Sequence, residues 1–355
     1  MGLIEDINKY TMEIQLNPDD EESYFNRGMA YYQLGQYDRA IKDFKKVIRI
    51  DPNNHEPYNR RGLVYSKLGK YERAISDFDK SIQLNPNNAA AYVNRGNAYN
   101  NLRKFESAII DFNKAIELNP NDYMIYYNRG NAYFDSEQYE KAIQDFDKAI
   151  KFNTNFTESY NNRGTAYDKL GQFELAIQDF DKSIELNPNE AEYYYNRALT
   201  YLKIDKSELA IQDFSQAIEL NPNNFMAYTN RGNIYSELEK YEQAINDFNR
   251  AIELNPYNFV AYSNRGANYQ NIGQYEMAIQ DYSKAIKLNP NFYMAYNNRG
   301  CAYHNLGKYE LAINDYNKAI KLNPIDFVSY VYRSNAYKKL SEADIEIAKQ
   351  LGYKG

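Results

Sequence analysis

Apolar residues recur along this chain at the spacing of two amphipathic helices per segment, and residues 89–122 show the pattern clearly. Tyr92 and Tyr99 lie seven residues apart on the first stretch, and a second apolar stretch with helical spacing follows a short polar turn. Spacings of three, four and seven residues place side chains on one face of an α-helix. The pattern predicts a first helix over about 89–102 and a second over about 106–118, closed by a proline that cannot continue the helix.

The same pattern returns every 34 residues, which makes it an internal repeat. We divide the chain into nine full repeats: 21–54, 55–88, 89–122, 123–156, 157–190, 191–224, 225–258, 259–292 and 293–326. Residues 1–20 are interpreted as an N-terminal capping helix, equivalent to half a repeat, and residues 327–355 as a partial tenth repeat with a C-terminal cap. A period of this length is typical of a solenoid, in which each repeat packs on its neighbours, so we expect one elongated all-α domain.

An Asn-Arg-Gly triplet recurs in the first helix of most repeats, as at 94–96. Glycine costs a helix interior about 1 kcal/mol relative to alanine, so its recurrence predicts close packing against the second helix, with Gly28 opposite Ala40. The arginine is present in all ten repeats, and an aspartate follows sixteen residues later in the nine full repeats. Because an unpaired guanidinium at this interface would be costly, we predict nine ion pairs, such as Arg163 with Asp179. The tyrosines at the fourth and eleventh positions are predicted to belong to the core.

Several recurring residues match a known repeat family. The fourth position is tyrosine in all ten copies, from Tyr24 to Tyr330, and the repeat 89–122 continues with Gly96, Tyr99, Ala108, Phe112 and Pro120. This pattern resembles the tetratricopeptide repeat over essentially the whole chain. The resemblance implies antiparallel helix pairs stacked into a right-handed α-solenoid superhelix, with first helices lining a concave groove that binds other proteins. The arginine at the seventh position departs from the leucine that is common in this family.

The asparagine of the triplet is the one triplet residue that neither packing nor pairing requires. The family geometry implies that it points into the concave groove, where an amide that donates and accepts hydrogen bonds can hold the backbone of an extended peptide. The arrangement resembles the asparagine ladder of the O-linked N-acetylglucosamine transferase superhelix. Alternatively, the asparagines were copied passively when the repeats duplicated. The predicted ladder consists of Asn26, Asn94, Asn128, Asn162, Asn196, Asn230, Asn264 and Asn298, interrupted by Arg60.

A second candidate binding surface lies in the C-terminal third of the chain. The second position of the repeat changes there from mostly glutamate to apolar residues. These residues either form an apolar groove for side chains of a partner or pack against the preceding repeat. The residues are Met226, Val260, Met294 and Val328.

Composition excludes several function classes. A net charge of -6 provides no basic surface for nucleic acid or anionic membranes, and the sequence has no apolar run of the length that spans a bilayer. With two histidines and one cysteine, we expect no metal, no cofactor and no catalytic residues. Cys301 and His304 lie three residues apart on one helix, but no orienting group or oxyanion site accompanies them. The single cysteine and the absence of a secretory signal near the start favour a cytoplasmic protein.

The resulting prediction is a non-enzymatic interaction scaffold that binds an extended peptide or protein segment. Two alternatives remain open at this stage. In the first alternative, the chain is a structural protein that assembles into homo-oligomers. In the second, it recruits substrates for a separate catalytic subunit or domain.

Overall fold

The structure is a computed structural model that describes residues 2–350, apart from the side chains of residue 344 and residues 347–349. Within these residues the chain forms twenty α-helices and no strand. The first, α1, spans Leu3–Leu16, and the last, α20, spans Phe327–Gln350. Residues 351–355 of the predicted C-terminal cap lie outside the described residues.

Between α1 and α20 the helices come in nine pairs. The first helices of the pairs are α2 (Glu21–Gln33), α4 (Glu56–Lys67), α6 (Ala89–Asn101), α8 (Tyr123–Asp135), α10 (Thr157–Lys169), α12 (Ala191–Lys203), α14 (Phe225–Glu237), α16 (Phe259–Asn271) and α18 (Tyr293–Asn305). The second helices are α3 (Tyr37–Ile50), α5 (Tyr71–Leu84), α7 (Phe105–Leu118), α9 (Tyr139–Phe152), α11 (Phe173–Leu186), α13 (Ser207–Leu220), α15 (Tyr241–Leu254), α17 (Tyr275–Leu288) and α19 (Tyr309–Leu322).

Local sequence explains where the first helices begin. The side chain of Asp20 accepts a hydrogen bond from the backbone N–H of Ser23, and Asn88, Asn224 and Asn258 cap their helices in the same way. Such caps satisfy backbone donors that have no partner inside the helix. In these repeats the residue in front of the first helix therefore also encodes the helix start, whereas Phe156, Glu190 and Phe292 provide no such cap.

The turn between paired helices depends on one residue with positive φ. Gly273 adopts φ 77° there, and the residue that follows each such position donates a backbone hydrogen bond across the turn, as Gln274 does to Tyr269 at 2.8 Å. Four repeats use a non-glycine residue in this conformation, namely Arg103, Glu137, Asp205 and Glu239. The hairpin geometry is thus imposed by helix packing even where the sequence lacks the residue that favours it.

The chain divides into two compact units, unit 1 (residues 1–188) and unit 2 (residues 189–355). Within each unit, every helix packs against the next one along the chain, and consecutive first helices also contact each other. Consecutive second helices have no comparable contact in the part of the chain that the structure describes. The first helices therefore line the inner side of each unit.

The core of each repeat is centred on an aromatic ring of the second helix. Phe44, Phe78 and their equivalents are fully buried. A Cβ placed on Gly62 would lie 2.6 Å from the Phe78 ring, so only glycine fits without moving a packed side chain. The closest packing is to the aromatic ring rather than to the predicted alanine, since the nearest atoms to a Cβ on Gly28 belong to Phe44 and Asp43. The Ala176 carbonyl oxygen nevertheless lies 3.1 Å from a Cβ on Gly164.

Within the described residues, the predicted partial tenth repeat over 327–355 contains a single long helix. Helix α20 runs without a turn for 24 residues. The positions at which the other second helices carry alanine, aspartate and an aromatic residue hold Glu346, Lys349 and Gln350 here. A helix folded back there would bring neither the small residue, nor the aspartate for the arginine, nor the aromatic ring that the other repeats use, so folding back gains little and the helix continues.

Candidate functional site

The predicted asparagine ladder lies on the inner first helices and is partly exposed. All eight asparagines are half-buried residues of first helices. Unit 1 contains Asn26, Asn94, Asn128 and Asn162. Unit 2 contains Asn196, Asn230, Asn264 and Asn298. Each unit thus presents a row of amide groups, and unit 1 has one interruption.

Four ladder residues are tied to the preceding first helix. Each donates its side-chain N–H to a polar side chain one repeat earlier. The bonds run from Asn94 to Asn59 at 3.0 Å, from Asn162 to Asn131 at 2.9 Å and to the Tyr127 hydroxyl at 3.1 Å, from Asn230 to the Tyr195 hydroxyl at 3.2 Å, and from Asn264 to Asn233 at 2.8 Å. These amides therefore have a structural role between neighbouring first helices, which the sequence reasoning missed because the acceptors vary in type.

Three other ladder residues have unused hydrogen-bonding capacity. The side chains of Asn26, Asn128 and Asn298 form no hydrogen bond within the described residues. Each has two amide hydrogens and a carbonyl oxygen available. In these three repeats, hydrogen bonding between neighbouring helices does not explain why the residue is an asparagine.

The interruption at Arg60 is neutralised within its own helix. Its Nε and Nη2 donate to Glu56 at 2.8 and 2.7 Å. The pair is one helical turn apart, a spacing at which opposite charges attract on a helix surface. The positive charge of Arg60 is therefore less available to an acidic ligand than its position in the sequence suggests.

The predicted ion pairs between arginine and aspartate are confirmed in all nine full repeats. In each, Nε and Nη2 of the arginine donate to the two oxygens of one carboxylate, as for Arg163 and Asp179 at 2.8 and 2.6 Å. The remaining pairs are Arg27–Asp43, Arg61–Asp77, Arg95–Asp111, Arg129–Asp145, Arg197–Asp213, Arg231–Asp247, Arg265–Asp281 and Arg299–Asp315. These arginines are therefore not a row of free cations for acidic ligands.

Eight of the ten repeat arginines also make a contact that the sequence reasoning did not find. The Nη1 of each donates to a polar side chain on the preceding second helix, sixteen residues earlier. The acceptors are Thr11 for Arg27, Asp79 for Arg95, Asn113 for Arg129, Asp147 for Arg163, Ser215 for Arg231, Asn249 for Arg265, Ser283 for Arg299 and Asn317 for Arg333. Each of these arginines therefore links its own repeat to the one before it.

The tyrosines of the first helix flank this guanidinium. The rings of Tyr92 and Tyr99 lie 5.6 and 6.0 Å from Cζ of Arg95, and similar contacts recur along the chain. Both rings are half-buried and pack against the buried cluster around Phe112, so they lie at the edge of the core, as predicted. Their faces provide an apolar and electrostatically favourable surround for the cation.

Burial and pairing act in opposite directions on these charges. Hydrogen bonding to Asp111 raises the pKa of the Arg95 guanidinium, although burial opposes this. Burial raises the pKa of the Asp111 carboxyl, against the hydrogen bond from Arg95 that lowers it. Since the loss of hydration offsets much of the attraction, the pair contributes mainly to specifying how the helices fit together.

The predicted apolar groove residues lie on the first helices of unit 2 and are accessible. Met226, Val260 and Met294 expose 50%, 39% and 47% of their surface, and Val328 is half-buried. The prediction left open whether these side chains pack against the preceding repeat. Their exposure means that such packing covers them only in part.

A cleft of about 370 Å³ adjoins one ladder residue in unit 1. It lies between α4 and α6, where Asn94 and Asn97 face Leu63 and Ser66. The Ser66 hydroxyl is buried there and has no hydrogen-bond partner within the described residues. The cleft therefore combines apolar lining with polar groups, as binding sites for peptide side chains do.

Cys301 and His304 do not form a nucleophilic pair. The Tyr316 hydroxyl donates to Cys301 Sγ at 3.5 Å, and burial raises the pKa of the thiol. The His304 ring packs edge-on against Tyr309, and its Nε2 is buried without a partner among the described residues. A buried thiol with a raised pKa is a poor nucleophile. In residues 2–350 no cluster of three or more histidine, cysteine or acidic side chains is placed to hold a metal ion.

Family models for the tetratricopeptide repeat match most of this chain. One matches residues 55–88, 89–122, 157–190, 191–224, 225–258, 259–292 and 293–326. A second matches residues 10–42 and 112–144, and a model described as the TPR repeat matches 28–69 and 130–171. The chain matches none of the curated proteins.

Solved structures with a similar fold include proteins of several kinds. A chain of the APC/C hetero-tetramer Cut9–Hcn1 is 14% identical, with a TM-score of 0.51 over 93% of this chain and 80% of that one. YrrB, described as a TPR protein with an unusual peptide-binding site, is 27% identical, with a TM-score of 0.44 over 52% of this chain and 95% of YrrB. MamA from Desulfovibrio magneticus RS-1 is 26% identical, with a TM-score of 0.45 over 47% of this chain and 95% of MamA.

Proposed function

Because this chain belongs to the tetratricopeptide repeat family, we propose that it is a non-enzymatic scaffold that binds an extended peptide segment against its inner first helices. The asparagine ladder would hold the peptide backbone, and the apolar residues of unit 2 would take up side chains. Proteins of this family generally act in protein–protein interactions, and the finer assignment rests on the inner surface of this chain.

The proposal depends on the unused hydrogen-bonding groups of the Asn128 and Asn298 side chains. Both are half-buried on the inner side of their units and have no hydrogen-bond partner within the described residues. Neither packing nor hydrogen bonding inside the protein requires an amide there, and asparagine is a mediocre helix former. Hydrogen bonds to a peptide backbone would use both the donor and the acceptor of each amide.

The apolar side chains on the same inner helices support a peptide that also carries hydrophobic residues. Met226 and Met294 each expose about half of their surface. Methionine adapts its shape to different partners, so these positions suit side chains of varied outline. Partner specificity in unit 2 would come from these contacts, while the amides hold the backbone irrespective of its sequence.

No feature of the described residues favours catalysis over binding. A transmembrane role has no support either, since no described helix combines the length and apolarity that crossing a bilayer requires. We therefore place the function in recognition, with any chemistry performed by a partner.

Selection from a displayed library of random peptides tests the proposal. Peptides of about ten residues are long enough when extended to pass three first helices separated by about 8–10 Å each. Each selected peptide is then measured by fluorescence anisotropy against the unchanged chain, Asn128→Ala and Asn298→Ala. We expect one of the two variants to bind each peptide about three- to tenfold more weakly, because one net hydrogen bond is lost.

The matched control replaces an asparagine outside the inner surface. Asn121 is exposed in a loop, and Asn121→Ala makes the same chemical change without touching a first helix. None of the three variants should melt below the unchanged chain, since none of these side chains forms an internal hydrogen bond within the described residues, and the two helix variants should melt slightly higher because alanine is the better helix former. The proposal fails if no selected peptide distinguishes the ladder variants from Asn121→Ala.

A further inference from the structure

The nine full repeats show how the outer face of a first helix is normally covered. Its eighth position is buried in every one of them, under the aromatic ring of the second helix, as Gly300 is under Tyr316. The arginine next to it is held by a carboxylate of that same helix, as Arg299 is by Asp315 at 2.7 Å. One face of each first helix is therefore shaped to be covered by a second helix.

Helix α20 has this face, and no second helix among the described residues covers it. Phe327 and Val331 expose 76% and 50% of their surface, and Tyr337 exposes 52%. Ser334, at the eighth position, is exposed although its nine equivalents are buried. The apolar surface therefore lies along one side of the first half of α20.

The charge on this face is also left without its usual counterpart. The Nη1 of Arg333 donates to Asn317 on the preceding second helix, and its Cζ lies 5.4 Å from the Tyr330 ring, as in the other repeats. Among the described residues no carboxylate binds its Nε and Nη2. The position sixteen residues later, where the other repeats have aspartate, is Lys349. One side of the guanidinium is therefore oriented by its neighbours, and no described carboxylate contacts the opposite side.

We propose that the open face of α20 binds an amphipathic helix of a partner protein. The partner helix replaces a second helix: it carries small and aromatic residues on one face for Val331 and Ser334, and a carboxylate for Arg333. This surface is centred away from the asparagine ladder, because Arg333 and Ser334 stand at the positions that contact a second helix in the nine full repeats. The proposal thus goes beyond peptide binding on the inner surface.

A second copy of this chain is a poor occupant. The described helix without a first helix of its own is α1, which corresponds in register to the second helices. Lys9 stands in α1 where the second helices have the paired aspartate, and Asp6 stands where they have the buried alanine. Docking α1 on α20 would bring Lys9 to Arg333 and bury a carboxylate against an apolar surface, and both effects are unfavourable.

The chain itself provides a probe for the test. A peptide with the sequence of α19, Tyr309–Leu322, carries the apolar face and Asp315 in the register that a second helix requires. A side-chain crosslink between positions 314 and 318, both on its exposed face, keeps the peptide helical in isolation. We expect fluorescence anisotropy to show saturable one-to-one binding of the labelled peptide to the full chain.

Two charge substitutions identify the site of binding. Arg333→Gln in the chain, or Asp315→Asn in the peptide, should each weaken binding about fivefold or more, and the two together should weaken it little further. Arg250→Gln is the matched control, since Arg250 lies exposed on a second helix and pairs with Glu253. Circular dichroism should show unchanged helicity for both protein variants, with at most a small fall in melting temperature for Arg333→Gln, which also loses the hydrogen bond to Asn317.

Three results would overturn the proposal. The first is the absence of saturable binding up to about 1 mM peptide, the weakest affinity that is useful for recognition. The second is binding that is unaffected by Arg333→Gln, which would indicate that the peptide binds elsewhere or displaces α19. The third is a dimer of the chain alone that Val331→Glu dissociates, as measured by analytical ultracentrifugation, because the occupant would then be a second copy.

Discussion

At the scale of single residues, the arginine of the triplet links three elements. Arg163 binds Asp179 on its own second helix, donates to Asp147 on the preceding one, and has the Tyr160 ring beside it at 5.6 Å. Both carboxylate oxygens of Asp179 are occupied, and the residue is only 5% exposed. The guanidinium therefore specifies the relative position of three helices in unit 1.

The energetic role of this pair can be tested by removing one partner or both. Arg163→Met leaves the carboxylate of Asp179 buried without a counter-charge, which should lower stability by about 3–5 kcal/mol. Replacing both residues, as Arg163→Met with Asp179→Leu, removes the buried charge and should restore most of that loss. Urea denaturation followed by circular dichroism measures both effects. A double variant as unstable as Arg163→Met, or less stable, would contradict the role assigned to the pair.

The sequence predicted one half of this arrangement. The interval of sixteen residues between arginine and aspartate is constant, so the pairing within each repeat followed from the period. The second acceptor is threonine, aspartate, asparagine or serine in different repeats, as at Thr11 and Ser215, and no single residue type reveals it. The same variation concealed the acceptors of the ladder asparagines, such as Asn59 and the hydroxyl of Tyr195.

At the scale of helices, the junction between α3 and α4 lacks one of these links. Arg61 is paired with Asp77, but the residue that would receive its Nη1 is Lys45, which is exposed and also positive. Arg61 accordingly has no acceptor on the preceding second helix within the described residues. We therefore expect the packing of α3 against α4 to be less stable than the otherwise similar packing of α5 against α6.

Restoring the missing acceptor should stabilise the junction. Lys45→Asp would reproduce the pairing of Arg95 with Asp79, and we expect a gain of about 0.2–1 kcal/mol and slower hydrogen exchange in α3 and α4. Lys42→Asp is the matched control, because Lys42 is exposed on the same helix and the change in net charge is identical. Hydrogen-exchange mass spectrometry compares the two variants. Equal exchange rates in the two variants would show that the missing acceptor for Arg61 does not weaken the junction.

Helix periodicity predicted the existence and order of the helix pairs, but not the continuous α20. Its apolar residues continue at helical spacing past residue 340, which fits either a hairpin or a single helix. The choice depends on whether a second helix gains buried surface by folding back, and Glu346 and Lys349 remove that gain. A sequence pattern reports the spacing of residues along a helix, whereas the turn is decided by packing between helices.

At the scale of the whole molecule, the 34-residue period determines which structural roles can be predicted from the sequence. Every residue has nine or so equivalents, so a position that stays constant serves the repeat itself, as glycine and arginine do. A binding residue of a repeat protein can be equally constant, which is why the sequence could not separate the two roles for asparagine. The structure divides the ladder into residues with an internal partner, such as Asn94, and residues without one, such as Asn128.

The most direct test of the account is to ask whether a ladder amide bonds to the backbone of a peptide. A peptide selected for dependence on Asn128 is synthesised with each backbone nitrogen methylated in turn, which removes one donor at a time. Binding is measured to the unchanged chain and to Asn128→Ala. We expect one methylation to weaken binding to the unchanged chain about tenfold and to have little effect on Asn128→Ala, since the two changes remove the same hydrogen bond. If every methylation weakens binding to both proteins by the same factor, Asn128 does not hold the backbone and the central claim is wrong.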